Sequence, residues 1–195
     1  MALAPINPYG TSKLMSEWIL RDLAAVSDLR YVSLRYFNVA GSDPQCRIGQ
    51  ATAKATLLIK VACEAVVGKR THVSIYGTDY PTPDGTCVRD YIHVLDIADS
   101  HVRALEEIDK VAGEAFNVGN SRGYSILEVI DAVERITGKK IPKRLSPRRS
   151  GDPAVLVASK DKLKKLLGWE AQHSTLDEIV SSAWAWKQAH PNGYA

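Results

Sequence analysis

The stretch RYVSLRYFNVAG at residues 30–41 decides the fold class. Its first seven residues are rich in β-branched and aromatic side chains, as expected for a strand buried in a parallel sheet. Ligands of open α/β sheets gather beyond the carboxyl ends of the strands. We therefore expect Phe37 and Asn38 to lie where a cofactor and a substrate bind. The alternative for Asn38 is a turn residue that caps its own backbone.

Upstream of this stretch, apolar residues recur at three- and four-residue steps from Pro8 to about Ser27, which predicts an amphipathic helix. Tyr9 and Lys13 lie four residues apart on its first turns and share one face. A tyrosine hydroxyl, with a pKa of about 10, is a poor base at neutral pH unless a nearby cation stabilises its phenolate. Lys13 can supply that cation and can hold the ribose hydroxyls of a nicotinamide cofactor. The alternative is a pair of ordinary helix residues that face solvent.

Downstream, helical and strand patterns continue to alternate to the end of the chain. The strands are predicted at residues 73–76, 88–94, 115–119 and 141–145. The helices are predicted at residues 51–67, at 95–108 with Leu105 facing inward, at 125–136 behind a capping box, at 159–167, and from Ser174 to His190. The loop at residues 77–86 is dense in Gly, Pro and Asp, and its Asp84-Gly85 pair predicts a tight turn.

Two segments carry arginines that suit a diphosphate. Arg89 lies in a predicted strand beside the expected ligand crevice, and its planar guanidinium fork matches phosphate oxygens. Arg148 and Arg149 are adjacent on a Gly/Pro loop and can bind the same kind of group. The alternatives are an ion pair of Arg89 with Asp90 or another carboxylate, and a solvated basic loop. We interpret His93 as a structural histidine and not as a base.

Composition and charge exclude several classes of function. The chain has 195 residues, of which 45% are hydrophobic and 24% charged, and these are ordinary values for a globular protein. The net charge is only +3 and no basic run is long enough for a nucleic-acid arm. No apolar run approaches the roughly 18 residues that cross a bilayer, so we expect a cytoplasmic protein with neither nucleic-acid nor membrane partners. Cys46, Cys63 and Cys87 lack C-x-x-C spacing and are interpreted as free thiols of a reducing compartment.

Several motifs occur in the order seen in the UDP-glucose 4-epimerases of the extended short-chain dehydrogenase/reductase family. They are the Tyr9 and Lys13 pair, LRYFNVAG at residues 34–41, IYGTDYPTPDGT at 75–86, VRDYIHV at 88–94, and PRR with GD at 147–152. The chain resembles that family over essentially its whole length. The resemblance implies an α/β fold, with the C-terminal part of a Rossmann-like NAD-binding sheet and a smaller α/β substrate-binding lobe.

The resemblance also implies a division into two parts. Residues 1–50 would form the end of the NAD-binding Rossmann domain and would carry the catalytic Tyr/Lys helix. Residues 51–195 would mainly form the UDP-sugar-binding lobe, with some segments returning to the Rossmann domain.

By resemblance, Tyr9 is the catalytic acid/base, while Lys13 is its partner and an anchor of NAD. Phe37 would pack beside the nicotinamide, and Tyr76 would pack on uracil. The implied ligands of the UDP-sugar are Asn38, Tyr76, Arg89, Arg149 and Asp152. The implied reaction interconverts UDP-glucose and UDP-galactose: NAD takes a hydride from sugar C4 as Tyr9 removes the 4-hydroxyl proton, and the hydride returns to the opposite face of the ketose. No metal is required, and the intact protein would be a homodimer.

The sequence departs from the family pattern in three respects. A full-length member begins with a strand, a glycine-rich turn and an acidic ribose ligand, and this sequence contains none of them. The family's active-site Ser/Thr belongs to the same absent part. Leu57 stands where many relatives place an Asn or His ligand. Leu156 aligns with the residue that gates N-acetylated sugars, and we expect UDP-glucose and UDP-galactose to be the main substrates.

Three functions are compatible with these observations. The first is an NAD-dependent epimerase of which this chain is the catalytic and substrate-binding portion, inactive by itself. The second is a non-catalytic remnant or a UDP-sugar-binding fragment. The third is a nucleotide-sugar dehydratase or decarboxylase, because those relatives share the Tyr and the Lys. The long loop at residues 77–86 favours the epimerase.

Overall fold

The computed structural model describes residues 3–173 and 175–194, and this part of the chain contains seven helices and eight strands. The helices are α1 Pro8–Ala24, α2 Leu58–Val66, α3 Val94–Glu106, α4 Ile108–Val111, α5 Ile126–Thr137, α6 Asp161–Leu167 and α7 Leu176–Ala189. The strands are β1 Ser33–Tyr36, β2 Asn38–Ala40, β3 Val73–Tyr76, β4 Val88–His93, β5 Ala115–Val118, β6 Gly123–Ser125, β7 Lys143–Ser146 and β8 Val155–Leu156. Within this part, no helix has the length and apolar character needed to span a membrane.

Parallel pairing dominates the strand topology. β1 pairs with β5, β3 pairs with β7, and β2 pairs with β4, all in parallel. β4 also pairs in parallel with β8 and antiparallel with β6. Parallel strands joined through helices are the mark of an α/β fold, so the predicted fold class is confirmed.

β4 is the central strand, and its alternating side chains enter two different apolar clusters. Tyr91 belongs to a first cluster among α2, β3, α5 and α7. Ile92, the next residue, belongs to a second cluster that is formed by α3, α4, β5 and α6. Successive residues of a strand point to opposite faces, so one strand with both faces covered joins the two clusters.

The helix ends follow the local sequence signals. The hydroxyl of Ser125 accepts a hydrogen bond from the Glu128 N–H while the Glu128 carboxylate accepts one from the Ser125 N–H, so the predicted capping box at the start of α5 is confirmed. Gly138 ends α5 with a φ of +68°, which glycine adopts without strain. Thr175 caps α7, and the predicted start at Ser174 lies outside the described residues.

The first strand differs from its prediction. β1 begins at Ser33 instead of Arg30, and its side chains are half-buried or exposed rather than buried. The physical reason is that β1 has β5 on one edge and no second strand among the described residues. Asn38 begins the separate strand β2, so it is not a turn residue.

Two other predictions are wrong in detail. Helix α2 begins at Leu58 and not at residue 51, because Leu57 has an extended backbone and the Ala55 carbonyl accepts a hydrogen bond from the Arg70 guanidinium at 3.1 Å. Leu105 is 72% exposed and does not face inward, whereas Ala104 beside it is buried. The short strands β6 and β8 were not predicted, since each is two or three residues long and is defined only by its pairing with β4.

Candidate active site

A cleft of about 700 Å³ opens between α2, β3, the start of β4 and the loop at residues 147–153. Five predicted site residues line it, and they come from four separate segments of the chain. They are Asn38, Tyr76, Arg89, Arg149 and Asp152. The structure therefore brings the predicted UDP-sugar ligands into one place.

Strand pairing places Asn38 at the cleft. Asn38 stands opposite Tyr91 in the parallel pair of β2 and β4. Its side-chain amide donates a hydrogen bond to the Asp90 carbonyl at 2.8 Å, so the side chain bridges the two strands instead of capping its own backbone. Asn38, the first residue of β2, is consequently held in the cleft wall.

Arg89 is paired with a carboxylate, but not with Asp90. Its side chain is 10% exposed, and its guanidinium donates to the Asp152 carboxylate and to the Val88 carbonyl. The Asp90 carboxylate, completely buried, instead accepts the backbone N–H groups of Asn120 and Ser121. Two residues predicted as ligands thus satisfy each other. Removing one partner of a buried ion pair of this kind strongly destabilises the protein.

The neighbouring arginines 148 and 149 have different contacts. The Arg149 guanidinium carbon lies 3.7 Å from the centre of the Tyr76 ring, a cation–π contact. A hydrogen bond from Arg149, followed by one from Ser74, lowers the pKa of the Tyr76 hydroxyl. Arg148 turns the other way, to the Asp79 carboxylate at 2.7 Å. Of these two arginines, Arg149 lines the cleft and Arg148 does not. Arg149 covers one face of the Tyr76 ring, which is predicted to pack on uracil.

Tyr9 and Lys13 lie beside the cleft, not in its wall. Pro8 begins α1, and the Asn7 side chain caps it by accepting the Gly10 N–H at 2.8 Å. Tyr9 is 73% exposed, and the Lys13 Nζ lies 5.5 Å from the centre of its ring, so the two side chains share a face as predicted. The Asn7 amide also donates to the Gly151 carbonyl at 3.4 Å, which joins the start of α1 to the loop of Arg149 and Asp152.

Phe37 is half-buried between β1 and β2, and it is absent from the cleft wall. Three predicted site residues, Tyr9, Lys13 and Phe37, therefore lie outside the cleft as the described residues shape it. Their roles toward a cofactor stay predictions.

The start of α2 is a feature that the sequence pattern did not reveal. Leu57, Leu58 and Lys60 line the cleft, and no side chain caps this helix. The first backbone N–H groups of a helix have no intrahelical partner and attract anions. Leu57 cannot hydrogen-bond through its side chain, but the helix start beside it offers backbone donors. The sequence pattern predicted that this helix starts at residue 51, about two turns before its observed start at Leu58, and therefore did not place the helix start at the cleft.

Comparison with known proteins identifies the family. Residues 1–119 match the family described as NAD dependent epimerase/dehydratase family. The chain belongs to this family. As a family member it is 53% identical to the UDP-glucose 4-epimerase of Azospirillum brasilense over 186 residues, which are 95% of this chain and 53% of that relative. It is 44% identical to the UDP-glucose 4-epimerase of Bacillus subtilis, covering 98% of this chain and 57% of the relative.

The structure of this epimerase/dehydratase family member also matches solved structures. A crystal structure of UDP-glucose 4-epimerase from Bifidobacterium longum in complex with NAD+ and UDP aligns with a TM-score of 0.91 at 43% identity, over 98% of this chain and 57% of that chain. The chain spans about half the length of the curated relatives it matches. The resemblance that the sequence motifs indicated is confirmed.

Proposed function

We propose that this chain is the catalytic and substrate-binding portion of an NAD-dependent UDP-glucose 4-epimerase. The observation that carries the proposal is the convergence of Asn38, Tyr76, Arg89, Arg149 and Asp152 on one cleft. Relatives named UDP-glucose 4-epimerase that match more than nine tenths of this chain support the same function.

The cleft has the donors that a diphosphate needs. Arg89 and Arg149 supply guanidinium groups, and the uncapped start of α2, which also lines the cleft, supplies backbone N–H groups. A diphosphate that binds the Arg89 guanidinium displaces the Asp152 carboxylate from it. The Asp152 carboxylate then accepts a hydrogen bond from a hydroxyl of the nucleoside. In this proposal the ligand replaces an internal ion pair, so the buried guanidinium is never left without an anion.

Tyr9 and Lys13 supply the proton chemistry. Tyr9 removes and returns the proton of the sugar 4-hydroxyl, and the Lys13 ammonium stabilises the phenolate in between. Their accessible positions on one face of α1 fit a cofactor ribose held by Lys13 and a nicotinamide next to Phe37. NAD, when bound, supplies the acceptor and donor of hydride at sugar C4. This sequence contains no glycine-rich phosphate-binding turn, so its residues would hold only the nicotinamide end of the cofactor.

We propose the same division of the chain into two parts that the sequence resemblance implies. Residues 1–50 would belong to the NAD-binding part, and most of residues 51–195 to the UDP-sugar lobe. The second cluster supports segments that return to the first part, because Leu34 packs against a core of residues 92–169. We further propose a homodimer in the cytoplasm, which the exposed apolar residues of α1 and the free thiols support.

The test is a chimera that joins this chain to the part of the Bacillus subtilis relative that the match leaves uncovered. Incubated with NAD and UDP-galactose, the chimera should form UDP-glucose. A folded chimera that binds UDP without any turnover would favour the non-catalytic fragment. A product that has lost one water would favour a dehydratase. A matched chimera with Arg149→Ala, whose side chain is exposed and outside the Arg89–Asp152 ion pair, should retain its fold and lose UDP affinity.

Leu156 bears on the choice of sugar. It stands opposite Arg89 in the β4–β8 register and is exposed. We propose that UDP-glucose and UDP-galactose are the main substrates and that N-acetylated forms are weak ones. The chimera should turn over UDP-N-acetylglucosamine more slowly than UDP-glucose, and equal rates would contradict the assignment.

A further inference from the structure

A second cavity, of about 370 Å³, lies between α2 and the end of α7. We name it the basic cavity, and its charged lining residues are Lys60, Glu64, Lys69, Arg70 and Lys187. The four basic residues also line the cleft, so the two spaces adjoin. Neither Arg89 nor Arg149 lines the basic cavity.

The lining of the basic cavity carries an excess of positive charge. Among the described residues that line it, Glu64 is the one carboxylate. Glu64 is almost fully buried and accepts hydrogen bonds from the Lys60 ammonium and from the Arg70 Nε at 2.6 Å. Its burial raises the pKa of its carboxyl group, but these two bonds outweigh the burial and lower the pKa overall. The Glu64 carboxylate therefore forms ion pairs with both Lys60 and Arg70. Lys69 and Lys187 have no acidic partner among the described residues of the lining.

Lys69 and Lys187 converge on one neutral acceptor. Both ammonium groups donate to the Pro191 carbonyl, the Lys187 bond measuring 2.9 Å. Lys69 also donates to the Asn192 side chain at 2.9 Å. Two like charges that share one carbonyl oxygen repel each other, and the repulsion is stronger in a partly desolvated site than in water. Burial and then the charge of Lys69 lower the pKa of Lys187, which reflects the same crowding.

The end of α7 contributes two aromatic residues, Trp186 and His190, to the lining of the basic cavity. Trp186 is 3% exposed, and its indole stacks on the His190 ring with 3.9 Å between the ring centres. Small-molecule pockets typically measure about 300–1,000 Å³ and combine apolar walls with a few polar groups. The basic cavity is thus larger than a lone inorganic anion requires, and its lining includes the uncharged polar side chains of Gln50 and Asn192, which can hydrogen-bond hydroxyl groups of an organic part.

We propose that the basic cavity binds a small phosphorylated molecule, with its phosphoryl group between Lys69 and Lys187 and its organic part in the remaining volume beside Gln50 and Asn192. A phosphoryl group carries about two negative charges at neutral pH and accepts hydrogen bonds from several directions. It would neutralise the two ammonium groups that now share the Pro191 carbonyl. The site is separate from the proposed diphosphate ligands and does not depend on the proposed function.

The test measures protection of the two lysines from chemical labelling in the 195-residue chain. The chain is treated briefly with formaldehyde and a reductant, and methylation of each lysine is followed by peptide mass spectrometry. The ligands are glucose 1-phosphate and inorganic phosphate, each against chloride at equal ionic strength. Lys69 and Lys187 should be labelled about tenfold more slowly at a ligand concentration ten times the dissociation constant. Lys110 in α4 should be labelled at an unchanged rate.

Glucose 1-phosphate should protect at a lower concentration than inorganic phosphate, because only the ester carries sugar hydroxyl groups that can hydrogen-bond Gln50 and Asn192. Equal labelling of Lys69 and Lys187 with and without either anion would overturn the proposal. So would a loss of protection in the Arg149→Ala protein, because it would place the anion in the cleft instead.

Binding is also measured by calorimetry, with Lys69→Gln/Lys187→Gln as the test variant and Lys110→Gln as its control. The double variant should lose the glucose 1-phosphate signal, whereas the control should retain it. Retention of the full signal in a folded double variant would equally overturn the proposal.

Discussion

At the scale of single residues, Tyr80 has a buried hydroxyl that finds no hydrogen-bond partner among the described residues. The side chain is 5% exposed, and the Arg148 guanidinium lies over its ring at 4.2 Å from the centre. Burial, followed by the charge of Asp152, raises the pKa of this phenol. A buried polar group without a partner costs about 1–3 kcal/mol, so this hydroxyl destabilises the loop at residues 77–86.

Replacing Tyr80 by Phe should therefore raise the free energy of unfolding by about 1 kcal/mol, because the variant keeps the ring and removes the unsatisfied group. Urea denaturation measures the change. Tyr194→Phe is the matched control: its hydroxyl accepts the Gly49 N–H at 2.9 Å and donates to the Gly49 carbonyl at 3.1 Å, so its loss should destabilise. A Tyr80→Phe protein less stable than the parent would show that this hydroxyl has a partner in solution.

The proposed acid/base role of Tyr9 leads to a second prediction. In the active chimera, Tyr9→Phe should lower turnover by about a hundredfold or more, because acid/base catalysis contributes about 10² to 10⁴ in rate. UDP affinity should change little, since the hydroxyl does not line the cleft that holds the proposed diphosphate ligands. Lys13→Met should lower both turnover and NAD retention. Near-normal turnover of the Tyr9→Phe protein would remove Tyr9 from the mechanism.

At the scale of the elements, Glu134 joins the end of α5 to β7. Its buried carboxylate accepts the Ile141 N–H at 2.8 Å, the Lys140 ammonium at 2.8 Å and the Lys143 ammonium at 3.1 Å. Burial raises the pKa of the carboxyl group, but these hydrogen bonds outweigh it and bring the pKa to about 2. Ionised Glu134 therefore fixes the connection between helix and strand that the first cluster packs against.

The pH dependence follows from the lowered pKa of Glu134. Its stabilisation is complete above the unfolded pKa of about 4.3 and is lost as the pH falls toward the folded value of about 2. Glu134→Gln should lower the free energy of unfolding by about 2 kcal/mol at pH 7, and the difference should disappear near pH 2. Asp131→Asn, on an exposed carboxylate of the same helix, should change it by less than about 0.5 kcal/mol. A difference that stays constant from pH 7 to pH 2 would contradict the assignment.

Elements with a local signal could be predicted from the sequence, and elements defined by distant partners could not. Pro8 at the start of α1, the capping box of α5 and Gly138 at its end act within one turn of chain. β8 has two residues and exists because Val88 and Arg89 pair with it. The candidate site divides in the same way. Arg89 and Arg149 were found by residue type, whereas the lysines of the basic cavity meet only after α2 and α7 pack together.

At the scale of the whole molecule, one side of α1 is open to solvent. None of its residues is buried, and its large apolar side chains are mostly exposed. The exposed members are Met15, Trp18, Ile19, Leu23 and the following Val26. The adjacent strand β1 has a neighbour on only one edge within the described residues. A patch of this kind beside an open strand edge marks an association surface.

The 195-residue chain by itself should consequently self-associate as its concentration rises, which sedimentation velocity measures. Ile19→Glu/Leu23→Glu should shift the distribution toward the monomer because it places two charges in the patch. Leu105→Glu, at an exposed position on α3, is the control and should leave the distribution unchanged. A parent chain that remains monomeric at all concentrations would contradict the prediction.

Catalysis by the unaccompanied chain gives a further prediction. With NAD and UDP-galactose added, it should form no UDP-glucose and should retain no NAD on gel filtration, because a phosphate-binding turn is absent from its sequence. Turnover of about 1 s⁻¹ or faster, a rate typical of enzymes, would show that the chain needs no further part.

The strand pairing has a consequence for how the protein is made. Each parallel pair joins segments that are far apart in the chain. β1 can pair only after β5 has been synthesised, and β3 only after β7. Contacts between distant segments slow folding because the loop must close before they form. A ribosome that adds about 5–20 residues per second exposes the α1 surface for seconds before β5 emerges. In that interval the apolar side chains of α1 are open to association with other chains.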